Sequence, residues 1–251
     1  MSLQGLYSDK RILKSLIIMC SLIQLLSTSV TADEAQRFIA TGFGFATGDF
    51  GDDTTTDLTY IDLTAGYLSK TTYLSINIPF NHYAVSNGDT KTKEQGIGDV
   101  VLRGDKELFR NDSDMYLSGT LMVKLPTADK TKGLGSGETD YGGYFSLNKT
   151  LSDYNFSIAS GLLKISDTAD QNYNNSVLYG AGLSKSFGKT QIGASVEGRT
   201  PVISGLKSPL ELNVNSFYDI NSSYSINANA MIGLSEGSPD YGYSIGIIKW
   251  F

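Results

Sequence analysis

Large apolar residues recur at every second position along segment after segment of this chain, with polar stretches between the segments. A period of two places alternate side chains on opposite faces of a β-strand. Twelve such segments can be read. Phe38 to Ala46 sets Ile39, Phe43 and Phe45 against Ala40, Gly42 and Gly44. The second sets Ile61, Leu63, Ala65 and Tyr67 against Tyr60, Asp62, Thr64 and Gly66. The third carries Leu74, Ile76, Ile78 and Phe80 on one face, and the fourth runs from Gly98. Further segments begin near Leu117, Gly143, Phe156, Val177, Ile192, Leu210 and Ile226, and the twelfth is Asp240 to Phe251. Leu163 and Ile165 interrupt the polar face of the seventh. No long apolar stripe of helical period occurs beyond residue 32.

The connections alternate in length. Those after odd segments are long and polar: Thr47–Asp57, His82–Gln95, Thr127–Thr139, Ser166–Asn174, Thr200–Ser208 and Ser235–Pro239. Those after even segments are mostly tight, as at Ser69–Thr71, Phe187–Lys189 and Asn221–Ser223. Long loops on one rim and short turns on the other describe a membrane barrel, and an even strand number puts both chain ends on the short-turn side. A soluble barrel would have to turn the apolar face inward, and twelve strands would then enclose an oversized apolar cavity. The expectation is therefore an all-β fold: a closed antiparallel transmembrane β-barrel of about 12 strands over residues 33–251, in contact with membrane lipids. Tyr67, Tyr73, Tyr83, Tyr141, Tyr218 and Tyr243 lie near strand ends and are expected in interfacial girdles.

Residues 1–32 read as a cleaved secretory signal. Lys10, Arg11 and Lys14 precede the apolar run Ser15–Leu26, which falls short of the ~20 residues a membrane span needs. Small residues at Val30-Thr31-Ala32 offer a cleavage site. The single cysteine, Cys20, lies inside this segment, so the remaining chain would have no disulfide and no cysteine-based site. Without residues 1–32, Lys plus Arg falls from 20 to 17 and Asp plus Glu from 26 to 25, a net charge of −8. That acidity argues against nucleic acid as a partner.

The last residues, DYGYSIGIIKWF, resemble the C-terminal signal of bacterial outer-membrane barrels. The resemblance implies the outer membrane as the location and the barrel-assembly machinery as a partner reading Phe251. Lys249 departs from it, standing where an aromatic or aliphatic residue is usual. A second stretch carries a narrower resemblance. Gly96-Ile97-Gly98-Asp99 opens the fourth segment, Lys124-Leu125-Pro126-Thr127 ends the fifth, and Gly133-Leu134-Gly135-Ser136-Gly137 precedes Asp140. Over residues 96–147 this is similar to the outer-membrane channel family named after the MetA pathway of phenol degradation, with Ala128 and Ile97 in place of the usual Gly and Leu. Pro79 also fits. The resemblance implies passive passage of small solutes, including small aromatic or apolar compounds. From the residues alone, Gly96 and Gly98 permit a bend or bulge, and Pro126 ends strand pairing. Gly133, Gly135 and Gly137 make a mobile loop rather than a phosphate cradle, since no helix follows them.

Little in the chain could carry catalysis. The sole histidine, His82, falls on the lipid side of the third segment with no identifiable serine partner, so neither a triad nor an outer-membrane phospholipase site is assembled. No metal-ligand spacing occurs, and neither catalytic residue nor cofactor is expected. The inward polar set is fuller. Parity turns Asp62, Asp99, Asp105, Asp140, Glu197, Glu211 and Asp219 inward, with Arg103, Lys124 and Arg199. Asp99 and Arg103 are ~13 Å apart along one strand, so both are expected to pair across strands. Two readings stand at this stage: a channel with an acid-leaning water-filled path for small solutes, or an outer-membrane enzyme (phospholipase-like) or purely structural barrel, non-conducting because its inward charges form a mutually satisfied network.

Overall fold

The computed structural model describes residues 35–49, 54–111, 114–169 and 171–251; the expected signal sequence, residues 1–32, lies outside them. Thirteen β-strands form one sheet: β1 (Gln36–Gly48), β2 (Thr55–Leu68), β3 (Thr72–Asn87), β4 (Thr90–Ile97), β5 (Val100–Arg110), β6 (Met115–Leu125), β7 (Asp140–Leu151), β8 (Tyr154–Lys164), β9 (Ser176–Phe187), β10 (Thr190–Arg199), β11 (Leu210–Asn221), β12 (Tyr224–Gly233) and β13 (Tyr241–Trp250). Each pairs antiparallel with its neighbours, and β13 pairs with β1 from Phe38↔Trp250 to Thr47↔Tyr241. The sheet is therefore closed.

The wall has twelve strands because β4 and β5 together make the fourth. Lower β3 pairs with β5 and upper β3 with β4. The break falls at Gly98-Asp99, where the Gly98 amide donates to the Pro79 carbonyl and a Cβ on Gly98 would run into the Asn81 amide. The bend expected at these glycines is thus present, and Pro126 follows the end of β6 as expected. The expected loop His82–Gln95 is instead a hairpin: β3 runs on to Asn87, and β4 returns after the two-residue turn Gly88-Asp89, with Gly88 at φ 54°. A Gly-Asp pair between strand-forming residues is a hairpin signal. Polarity had obscured it, because this arm stands beyond the barrel rim where neither face needs to be apolar.

Burial follows the alternation. Exposed residues include Ile61, Leu63, Leu74, Ile76, Phe145, Leu147, Ile158, Ile245 and Ile247, whereas Asn77, Thr120, Ser146, Asn148, Ser157, Ser184 and Ser195 are buried. A wall greasy outside and polar inside cannot be a soluble core; it matches a bilayer around the barrel. Tyr67, Tyr141, Tyr218 and Tyr243 lie on the outside. Tyr73 and Tyr83 do not join this girdle. The odd residues of β3 face inward, so Tyr73 stacks on Phe38 and Tyr83 is buried against Leu58, Ala128 and Leu134.

Candidate functional site in the barrel interior

Strand parity delivers the charged residues to the interior, and the local pairing decides what each does there. Lys124 and Asp140 are direct partners across β6 and β7. The Lys124 ammonium lies 2.8 Å from Asp140 and 3.0 Å from Asp99, and donates to Ser136 Oγ at 2.7 Å. All three charged side chains are at least 92% buried. Asp99 reaches this position because it occupies the break between β4 and β5. It also accepts the Ala128 amide at 3.0 Å, and Asp140 accepts that of Ser166 at 2.9 Å.

The loop between β6 and β7 is held by the same cluster. It turns through a short 3₁₀ segment, Lys130–Lys132, capped by Asp129, with Gly133 left-handed at φ 68°. The Thr131 hydroxyl and amide donate to Asp129 and hold its carboxyl below the ordinary range. Residues 133–136 are then buried. Gly135 abuts Asp99 so closely that a Cβ would stand 2.6 Å from its carboxylate. The expectation of a mobile loop is corrected here: the glycines permit close packing of an inward-folded segment, not freedom.

Arg103 departs from expectation as well. Its guanidinium binds Asp105, two residues along the same strand, through two 2.7 Å bonds, and donates to Tyr144 Oη at 2.9 Å. Thr120 donates to the same carboxylate. Residues two apart on a strand share a face, so a long guanidinium can fold back onto its neighbour. Asp99 does pair across strands, with Lys124.

The remaining predicted residues are held more loosely. Arg199 and Glu211 stand 3.9 Å apart on β10 and β11, and Glu197 accepts from Ser195 Oγ. These three border a crevice of ≈ 580 Å³, counted with the solvent it opens onto, which Tyr60, Asn213 and Asn229 also line. Asp62 accepts from Asn77 at 3.4 Å. Asp219 is exposed at the short-turn rim and accepts from Ser225 Oγ, which in turn accepts from Trp250 Nε1.

Two interior features were not foreseen. Met122, Tyr144, Leu163, Ile165, Leu178 and Val202 form a buried apolar cluster at the long-loop end. Leu163 and Ile165, which break the polar face of their strand, belong to it. That irregularity was the available signal. The second feature is a set of inner-wall polar atoms without a protein partner: both amide atoms of Asn81, Ser146 Oγ, Asn148 Oδ1, Asn155 Nδ2 and Asn229 Oδ1. Among the described residues no group of three or more His, Cys, Asp or Glu side chains is arranged to hold a metal.

Solved structures share this architecture. The chain is similar to an outer membrane channel from Pseudomonas putida F1, with a TM-score of 0.73 and 13% identity over 90% of this chain and 99% of that one. It is also similar to the translocator domain of autotransporter NalP from Neisseria meningitidis (TM-score 0.61, 12% identity, covering 95% and 96%). The KdgM porin follows at a TM-score of 0.55 and 10% identity, covering 85% and 99%. No protein-family model and no curated protein matches the sequence. The fold is that of an outer-membrane β-barrel.

Proposed function

We propose that this barrel is a passive channel of the bacterial outer membrane for small solutes. The carrying observation is a closed wall that is apolar outside and polar inside: Asn77, Thr120, Ser157, Ser184 and Ser195 turn inward, and Glu197, Arg199 and Glu211 border a crevice that opens onto solvent. An inner face of this kind suits a path for small solutes. The channel and the porin among similar structures, and the motifs of residues 96–147, support the same reading. Those motifs bring small aromatic or apolar compounds into the solute class. No cofactor, metal or catalytic group enters this reading, and His82 has no serine partner assigned to it.

One observation favours a second reading, a barrel closed at rest. The loop from Pro126 to Thr139 packs inward, with Leu134 only 2% exposed. Planar-bilayer recording of the purified barrel separates the two. The expected result is a stable conductance with a cation preference, because seven inward carboxylates face three inward cations. A barrel that inserts but passes no current would favour the closed reading, and anion preference would overturn the charge assignment.

A further inference from the structure

The outer wall carries a repeated arrangement at the short-turn rim that neither closure nor conduction explains. On β9, Lys185 lies between Tyr154 of β8 and Phe187: its ammonium is 4.4 Å from the Tyr154 ring centre, 5.0 Å from that of Phe187, and donates to Tyr154 Oη at 2.9 Å. On β13, Lys249 repeats the pattern, 5.3 Å from the Tyr224 ring, 5.2 Å from that of Phe251, and 3.3 Å from Tyr224 Oη. In both, a lysine two residues before an aromatic meets the tyrosine that opens the preceding strand. All four aromatic rings are exposed on the wall. Among the described residues neither ammonium has a carboxylate partner.

Two rings, one of them a phenol whose oxygen accepts from the lysine, hold each ammonium at one height on the lipid-facing surface. Tyr Oη takes one of its three N–H groups, and the phenol O–H remains able to donate. The result is a paired ammonium and hydroxyl donor set at the depth of aromatic girdles, where lipid phosphates lie. We propose that each lysine–tyrosine pair binds the phosphate of an anionic phospholipid in the leaflet at the short-turn rim. This accounts for Lys249 standing where outer-membrane C-termini usually carry an apolar residue.

Native mass spectrometry of the full barrel, released from bilayers of equal phosphatidylglycerol and phosphatidylcholine, tests the assignment. The wild type should retain about two phosphatidylglycerols in preference to phosphatidylcholine. Lys185→Gln and Lys249→Gln should each lose about one, and Lys→Arg should keep both. Heat-modifiable migration verifies that each variant is folded. Retention unchanged in the doubly substituted barrel, or equal retention of the two lipids, would overturn the proposal. Inorganic phosphate at millimolar concentration should leave the retained lipid in place; displacement by it would mean a general anion site, and the lipid assignment would fall.

Discussion

Two charged groups share the barrel interior and are held in opposite ways. At the long-loop rim, Lys124 bridges Asp99 and Asp140 at 2.8–3.0 Å, with Ser136 as a further acceptor and amides on both carboxylates. Arg199 and Glu211, at 3.9 Å, border an open crevice. A desolvated ammonium with two carboxylates is tolerable only if each stays in place, since a buried charge without its partner is costly. The first group therefore acts as a rivet for the loop and the broken strand. The second, with its charges 3.9 Å apart beside a crevice that opens onto solvent, is held less tightly. One chain uses the same residue types for structure and, on the proposed reading, for selection; packing around them makes the difference.

The largest effect is expected at Lys124. Lys124→Met leaves Asp99 and Asp140 facing each other without a cation and should cost about 3–5 kcal/mol, measured by urea unfolding of the detergent-solubilised barrel. Adding Asp99→Asn and Asp140→Asn should recover a large part of that loss. A Lys124→Met barrel as stable as wild type would show that the cluster is no rivet. Gly135→Ala tests the same group sterically. Its Cβ would meet the Asp99 carboxylate and the Ala128 Cβ within 2.7 Å, and overpacking of this kind costs about 1–3 kcal/mol.

At the looser pair the expected change is functional. Glu211→Gln, which keeps the side chain's size at a contact of 3.9 Å, should destabilise less than Lys124→Met and lower the cation preference seen in reversal potentials, as should Glu197→Gln. A large destabilisation by Glu211→Gln would erase the distinction between the two groups. The smallest perturbation asks which rim faces outward. Cysteines replacing Asp89 or Lys130 should react with an impermeant maleimide on intact cells, and those replacing Lys189 or Asn221 should not. The reverse labelling would place the Lys124 group at the periplasmic rim.

Most of the wall was legible because a barrel in lipid writes its faces into strict alternation. Strand number, closure and the inward set follow from parity, and Asp62, Asp99 and Lys124 lie on the faces that parity assigns. Pairing was less legible. Parity names a face but not a height or a rotamer, so Arg103 binding Asp105 on its own strand could not be separated from a cross-strand pair. The hairpin arm at Gly88-Asp89 escaped because its exposed strands need no apolar face. The inward loop escaped for a different reason: glycines at 133, 135 and 137 suit a mobile segment or a tightly packed one. Only the contacts of Leu134 and Asp99 decide between them.

The seam between β1 and β13 has a kinetic consequence. Elsewhere in the wall, strands pair with neighbours in sequence or across the single β3–β4 hairpin. The seam alone joins positions as distant as Phe38 and Trp250. Local hairpins close short loops and can form early, whereas distant ends meet at greater entropic cost, about 0.6 kcal/mol for each doubling of the loop. Until they meet, the nearly finished sheet has two unpaired edges, each able to capture another chain. Ring closure is therefore expected to be the slow and aggregation-exposed step of folding. Joining the present ends and reopening the chain at Gly188-Lys189 would relocate that vulnerable interval to β9 and β10 without altering the finished wall.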